Sequence, residues 1–169
     1  MIKIVVVPAD PLLPVRVADV DETNLRDAQT VGGGPGEPID LARPGATLYA
    51  SKHDELDVLA RNDRATLLAW VHAPELRGHI VLAGDAYLTG PLRGGVPTDA
   101  PGDLVAVLTG AVPGQAETLS RRDRRWSTVP RPLDTAYAEP FDVYAVAILT
   151  FLLDDPDTLD VRVIPASKT

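Results

Sequence analysis

The chain has no cysteine. Disulfides, thiolate zinc sites and cysteine nucleophiles are therefore excluded outright. No stretch approaches the roughly 18 apolar residues of a membrane span. The opening Met-Ile-Lys-Ile-Val-Val-Val-Pro is too short for the apolar region of a signal peptide and reads as a first strand. With neither a signal nor a lipidation motif, the cytoplasm is the expected location. Several chemical motifs are missing too. There is no Gly-Lys-Ser/Thr of a phosphate loop and no His-Glu-x-x-His of a zinc protease. The serines are Ser51, Ser120, Ser127 and Ser167, and none stands in Gly-x-Ser-x-Gly. Neither an internal repeat nor a low-complexity tract occurs.

What is present is a chain of 169 residues, 45% hydrophobic, with a formal net charge of −8. That length suits one large domain or two small ones. Folded as one unit it would bury roughly 70% of the surface its unfolded chain exposes, enough for a core. An acidic surface repels phosphate backbones, so nucleic-acid binding is disfavoured unless basic residues cluster. They cluster once, at Arg121, Arg122, Arg124 and Arg125.

Taken in order, Ile2 to Val7 is a β-branched run, read as a buried strand. Pro8, Pro11 and Pro14 keep the next stretch extended, and Val15, Val17 and Val20 mark a second strand. Asp21 can cap a helix from Glu22 to about Thr30, which Gly32 would close. The stretch Val31-Gly32-Gly33-Gly34-Pro35-Gly36 reverses the chain. Residues 37–51 form a hairpin around the turn Arg43-Pro44-Gly45-Ala46. Residues 52–55 form a polar turn, and Leu56, Val58 and Leu59 a short helical piece. Residues 65–71 are apolar but open between helix and strand. His79 to Ala83 reads as a strand that Gly84-Asp85 bends and that resumes at Ala86; an isolated glycine in a strand pattern marks a bulge. Residues 93–102 are the best linker, dividing a region 1–92 from a region 103–169. Thr98 or Asp99 can cap a helix through Leu104 to Leu108, with Gly110 as its stop. Residues 113–136 read as a long exposed loop. Residues 141–153 form the longest helix, strand remaining open, with Phe141, Tyr144, Ala145, Ile148, Phe151 and Leu152 on one face. Residues 159–164 alternate as a last strand.

The glycine turn could present backbone amides to an anion. It follows a helix instead of opening one, however, which would aim the helix's negative end at a phosphate. A purely structural turn is the better reading. His53-Asp54-Glu55 has metal-ligand types, yet adjacent side chains rarely converge on one ion, and a solvated turn is favoured over a ligand set completed by Asp57, His79 or Asp85. His72 reads as a surface residue and His79 as a strand-edge residue. Asp85 could serve as a general base, or could bond nearby amides and shape the bend, the plainer alternative; Asn62 and Thr66 suit similar local work. Arg121-Arg122-Asp123-Arg124-Arg125-Trp126 is the sharpest charge feature. Its arginines could fold back on acidic parts of the chain, or meet a partner, since Arg and Trp are enriched at binding hot spots.

The order of these signals resembles an uncharacterised family frequent among phages of actinobacteria, "domain of unknown function 3846". The residues that carry it are Leu25 with Gln29, Val31-Gly32-Gly33, Glu37-Pro38-Ile39, Leu48-Tyr49, the turn through Glu55, Asn62 with Ala65-Thr66, and Ile80 to Gly84-Asp85 ending at Gly90. The match covers roughly residues 2–92, and the extra Gly34-Pro35-Gly36 departs from the pattern. The resemblance implies a small α+β domain in a phage accessory protein working in the host cytoplasm. It implies no catalytic residue.

The resulting expectation is an α+β fold, a mostly antiparallel sheet with two or three packed helices. The expected function is non-catalytic binding of a host protein through Arg121, Arg122, Arg124, Arg125 and Trp126, with no nucleic acid and no membrane as partner. The alternative is an enzyme or a small-ligand or nucleotide binder, with a site between Gly32-Gly36 and Gly84-Asp85 that His53 and Asp85 would serve. No catalytic residue, cofactor or metal is assigned.

Overall fold

The structure, a computed structural model, describes residues 1–21, 29, 36–52, 59–130, 139–153 and 158–166. These form an α+β fold with two antiparallel sheets and three α-helices. The expected helix after Asp21, the glycine turn before Gly36 and the helical piece at 56–58 lie outside the described residues.

Five strands make the larger sheet: β1 (Ile2–Val7), β2 (Arg16–Val20), β3 (Glu37–Leu41), β4 (Ala46–Lys52) and β5 (Leu82–Thr89), in the order β2-β1-β5-β4-β3. Thus β5 enters between two hairpins, pairing with β1 on one side and β4 on the other. Both faces of the sheet are buried, which is why β1 is apolar at nearly every position. Val5 and Val7 face the main core, while Ile4 and Val6 face a second cluster where Tyr49 and Tyr87 stack 4.7 Å apart.

Helix α1 (Asp63–His72) resolves the ambiguity at 65–71 in favour of helix. Its N-cap is Asn62, whose Oδ1 accepts from the Ala65 amide at 2.9 Å. A 3-10 turn, Pro74–Leu76, follows, and β5 begins only at Leu82, later than the expected His79. Helix α2 (Gly102–Leu108) lacks the expected side-chain cap. Asp99 instead accepts from the Lys3 amide, and the Thr98 hydroxyl donates to the Pro91 carbonyl.

The expected loop at 113–136 is corrected. Residues there form β6 (Gly114–Ser120) and β7 (Trp126–Thr128), which join β8 (Thr158–Pro165) in a second sheet ordered β7-β6-β8. The pattern hides because one face of β6 carries Gln115 and Glu117 beside Leu119, while the buried positions of the other face are only Gly114 and Ala116. A methyl group on Gly114 would come within 2.7 Å of Val143; small residues let helix α3 (Asp142–Leu153) approach, so the face turned to the helix carries no large apolar side chain. Helix α3 has its expected place, but its buried face is Val143, Tyr144, Ala147 and Ile148, and Leu152 is exposed. A helix apolar on all sides does not reveal in sequence which stripe is buried. Helix α1 touches both sheets and α3, so the helices sit between the sheets. One hydrophobic cluster draws on Leu48, Leu68 and Leu88 as well as Leu104, Tyr144 and Val161, on both sides of residues 93–102.

Asn62 is fully buried, and besides capping α1 its Nδ2 donates to the carbonyls of Val7 and Gly84, both at 2.9 Å. Asn62→Ala removes the cap and leaves both carbonyls unsatisfied, an expected loss of about 3 kcal/mol or more in denaturant unfolding. Asn62→Asp keeps the cap acceptor but turns an anion on two carbonyl oxygens, and is expected to lose as much. If Asn62→Asp unfolded like the wild type, the two donated bonds would carry no stability.

Candidate functional site

The bend at Gly84-Asp85 is a β-bulge. Between the pairs Tyr49–Tyr87 and Ser51–Ala83 the two strands fall out of register. Gly84 takes φ +68°, a left-handed conformation suited to glycine, and its N–H donates to the Ala60 carbonyl. The Asp85 carboxylate accepts from the Ala9 amide at 2.8 Å, so it fixes the β1–β2 loop to the bulge. Arg64, in the first turn of α1, holds the same loop: its guanidinium donates to the carbonyls of Pro8, Asp10 and Leu13. Of the glycine turn only Gly36 is described. A Cβ there would lie 2.4 Å from the Ala50 amide nitrogen, so this glycine lets β3 start hard against β4. His53 lies outside the described residues, as do Asp54, Glu55 and Asp57. Among the described residues no group of three His, Asp or Glu side chains could hold a metal ion.

The arginine cluster is not in an open loop but at the tip of the β6–β7 hairpin. The Ser120 amide donates to the Arg125 carbonyl and the Arg124 amide to the Ser120 carbonyl. The Ser120 hydroxyl accepts from the amides of Arg122 and Asp123. The Asp123 carboxyl is held below its usual range, first by a hydrogen bond with Ser120 and then by the Arg125 amide. Arg121, Arg122, Arg124 and Arg125 are all exposed, and no ion pair reaches them among the described residues. Among the described residues, then, these arginines do not fold back onto acidic parts of the chain. Trp126 is half-buried, with the Arg162 guanidinium stacked 4.1 Å from its ring centre.

A feature that sequence reasoning missed lies between the sheets. Helix α1 ends in His72, which is buried, not on the surface as expected; His79 is exposed in a turn. His72 bonds the Arg43 backbone and faces the Tyr144 hydroxyl at 3.5 Å. Both rings floor a cleft of about 190 Å³, walled by Arg43 and Pro44, by Asp103, Leu104 and Val107 of α2, and by residues 162–165 of β8. An adjoining cleft of about 230 Å³ shares Arg43, His72 and Arg162. Asp85 lines neither. The walls come from segments far apart in the chain, so no local motif announces them.

Strand β8 is an edge strand, and its peptide groups face this cleft alternately. The Ala166 amide donates to Pro113, in register with the β6–β8 ladder. Hydrogen-bonded pairs alternate in such ladders, so Val161, Val163 and Pro165 turn their peptide groups away from β6. The Val161 N–H meets the Asp160 carboxylate at 2.8 Å, and Pro165 has no N–H. Val163 keeps an outward N–H and C=O. Of the charged groups around the cleft, Arg162 is engaged with Glu117 and Trp126. Arg43 and Asp103 have no ion-pair partner among the described residues and stand exposed on different walls.

Compared with family models, with curated proteins and with solved structures, the chain matches none of them. Among the described residues no helix is long and apolar enough to cross a membrane.

Burial pushes the His72 imidazole down to about 4, against a smaller raising effect of the Arg43 backbone bond and the Asp160 charge. The folded state thus prefers neutral His72, while the unfolded chain takes up a proton near pH 6.5. The associated stability is intact above pH 6.5 and is lost as the pH falls towards 4, by roughly 3 kcal/mol. In urea unfolding at pH 7 and pH 4, the wild type is expected to lose that much more than His72→Gln. Equal pH dependence of the two proteins would show that His72 titrates alike folded and unfolded.

Proposed function

We propose that this chain is a non-catalytic accessory protein of a bacteriophage that binds an acidic host protein through the tip of its β6–β7 hairpin. The reading is carried by the four exposed guanidinium groups at that tip, without an ion pair among the described residues, on a chain whose net charge is −8. Such a cluster steers an acidic partner and suits bidentate contacts with carboxylates. The turn supports the same reading. Arg124 holds φ +58°, a conformation glycine would adopt at lower cost. A side chain carried at a position the backbone disfavours motivates a functional role for it. The phage origin rests on the family resemblance over residues 2–92. Trp126 supports the tip from below through its stack with Arg162, so it shapes the surface more than it offers a contact.

Capture from an actinobacterial lysate, read by quantitative mass spectrometry, tests this. Wild type should retain acidic proteins that elute as salt rises, unchanged by nuclease, and Arg121→Glu/Arg122→Glu/Arg125→Glu should release them. Arg124→Gly should weaken capture while leaving stability equal or about 1 kcal/mol higher, because it relieves the left-handed residue. Identical capture by wild type and the charge-reversed variant would end the proposal.

A further inference from the structure

The cleft between the Arg43-Pro44 turn and β8 has the makings of a small-ligand site, separate from the arginine tip. Its volume of about 190 Å³ exceeds the about 150 Å³ of an apolar cavity that takes up benzene. A ligand of one ring or one branched side chain plus a few polar atoms fits. Leu104, Val107 and Ile164 offer it apolar surface. The Tyr144 hydroxyl is fully buried at the floor, and its bond to His72, at 3.5 Å, is at the limit of hydrogen-bond length.

The charges at the rim define the ligand further. Arg43 and Asp103 line the cleft from different elements, and neither has an ion-pair partner among the described residues. An anion alone would meet Arg43 but face Asp103. A cation alone would meet the reverse. A molecule carrying both charges satisfies both walls. An added peptide strand fits less well, because Asp160 and Pro165 block the outward donors on either side of Val163. We propose that this cleft binds a free α-amino acid with an apolar side chain, its carboxylate on Arg43, its ammonium on Asp103 and its side chain against Leu104, Val107 and Ile164. The peptide group of Val163 supplies one further donor and acceptor beside the ligand's polar end.

The test is calorimetric titration of the full chain with L-phenylalanine and L-leucine, beside N-acetylphenylalanine, which lacks the ammonium, and phenylalaninamide, which lacks the carboxylate. One of the free amino acids should bind saturably, with both capped forms about tenfold weaker or worse, the effect of losing one charge-assisted contact. Arg43→Gln and Asp103→Asn, both at exposed positions, should keep the unliganded melting temperature and weaken binding about tenfold. Asp103→Asn should also lose the preference for phenylalanine over its N-acetyl form. Absence of both heat and any rise in melting temperature with either free amino acid up to about 10 mM, a range in which even weak binding stabilises the native state, would overturn the proposal. So would capped forms binding as tightly as free ones, or wild-type affinity in both variants.

Discussion

One buried amide holds the architecture together. Asn62 receives the first turn of α1 on its oxygen and gives its two protons to the end of β1 and to the bulge of β5. Three elements distant in sequence thus meet on one side chain, with every hydrogen bond it can make in that pocket directed to backbone. Nothing smaller or differently charged satisfies the same three groups. The backbone follows suit: the Asn62 amide itself donates to Leu82, and Thr66 bridges Asn62 and Leu82 through its hydroxyl. From that junction α1 runs ten residues to His72. The helix is a strut between two polar anchors, the first fixing sheet to helix and the second flooring the cleft against Tyr144.

How much of this the sequence discloses depends on whether a residue's role is local. The β-branched β1, the hairpin around Pro44-Gly45 and the break at Gly84 are local, and each is legible. Asp85 and Asn62 were legible as residues that bond nearby backbone, although not the strands they tie. The β6–β7 hairpin was not legible, because the buried positions of β6 are the small Gly114 and Ala116 and its single large apolar residue, Leu119, shares a face with Gln115 and Glu117. The burial of His72 was hidden for another reason. Its neighbours Arg43 and Tyr144 lie far away in sequence, and a lone histidine at a helix end has no signature of its own. The cleft suffered the same fate, being walled by a turn, a helix and an edge strand.

Two sets of arginines differ in a way that bears on function. Arg64, Arg77 and Arg162 are engaged inside the fold. Each finds oxygen acceptors and an aromatic face: Phe141 for Arg64, Phe151 for Arg77 and Trp126 for Arg162. Arg77 also donates to the Trp70 carbonyl and to Asp160, nearly removed from solvent. Such desolvated pairs, fixed by planar stacking, are structural devices that a lysine could not replace. By contrast, Lys3–Asp19 is a fully wet pair of small energetic consequence.

The second set, Arg43 and the four at the hairpin tip, is exposed and makes no ion pair among the described residues. A chain of net charge −8 has carboxylates in excess, so unpaired arginines are not a shortage of partners. They are kept apart by geometry: Arg43 projects from a tight turn, and the tip extends beyond the small sheet on a closed hairpin. Long side chains left free keep their rotamer entropy, which any contact that orders them must offset, and a guanidinium–carboxylate pair that stays in water gains little. A carboxylate brought to these positions therefore gains only where its binding also shuts water out around the pair, and that is the requirement both proposed contacts share, a protein at the tip and a small molecule in the cleft.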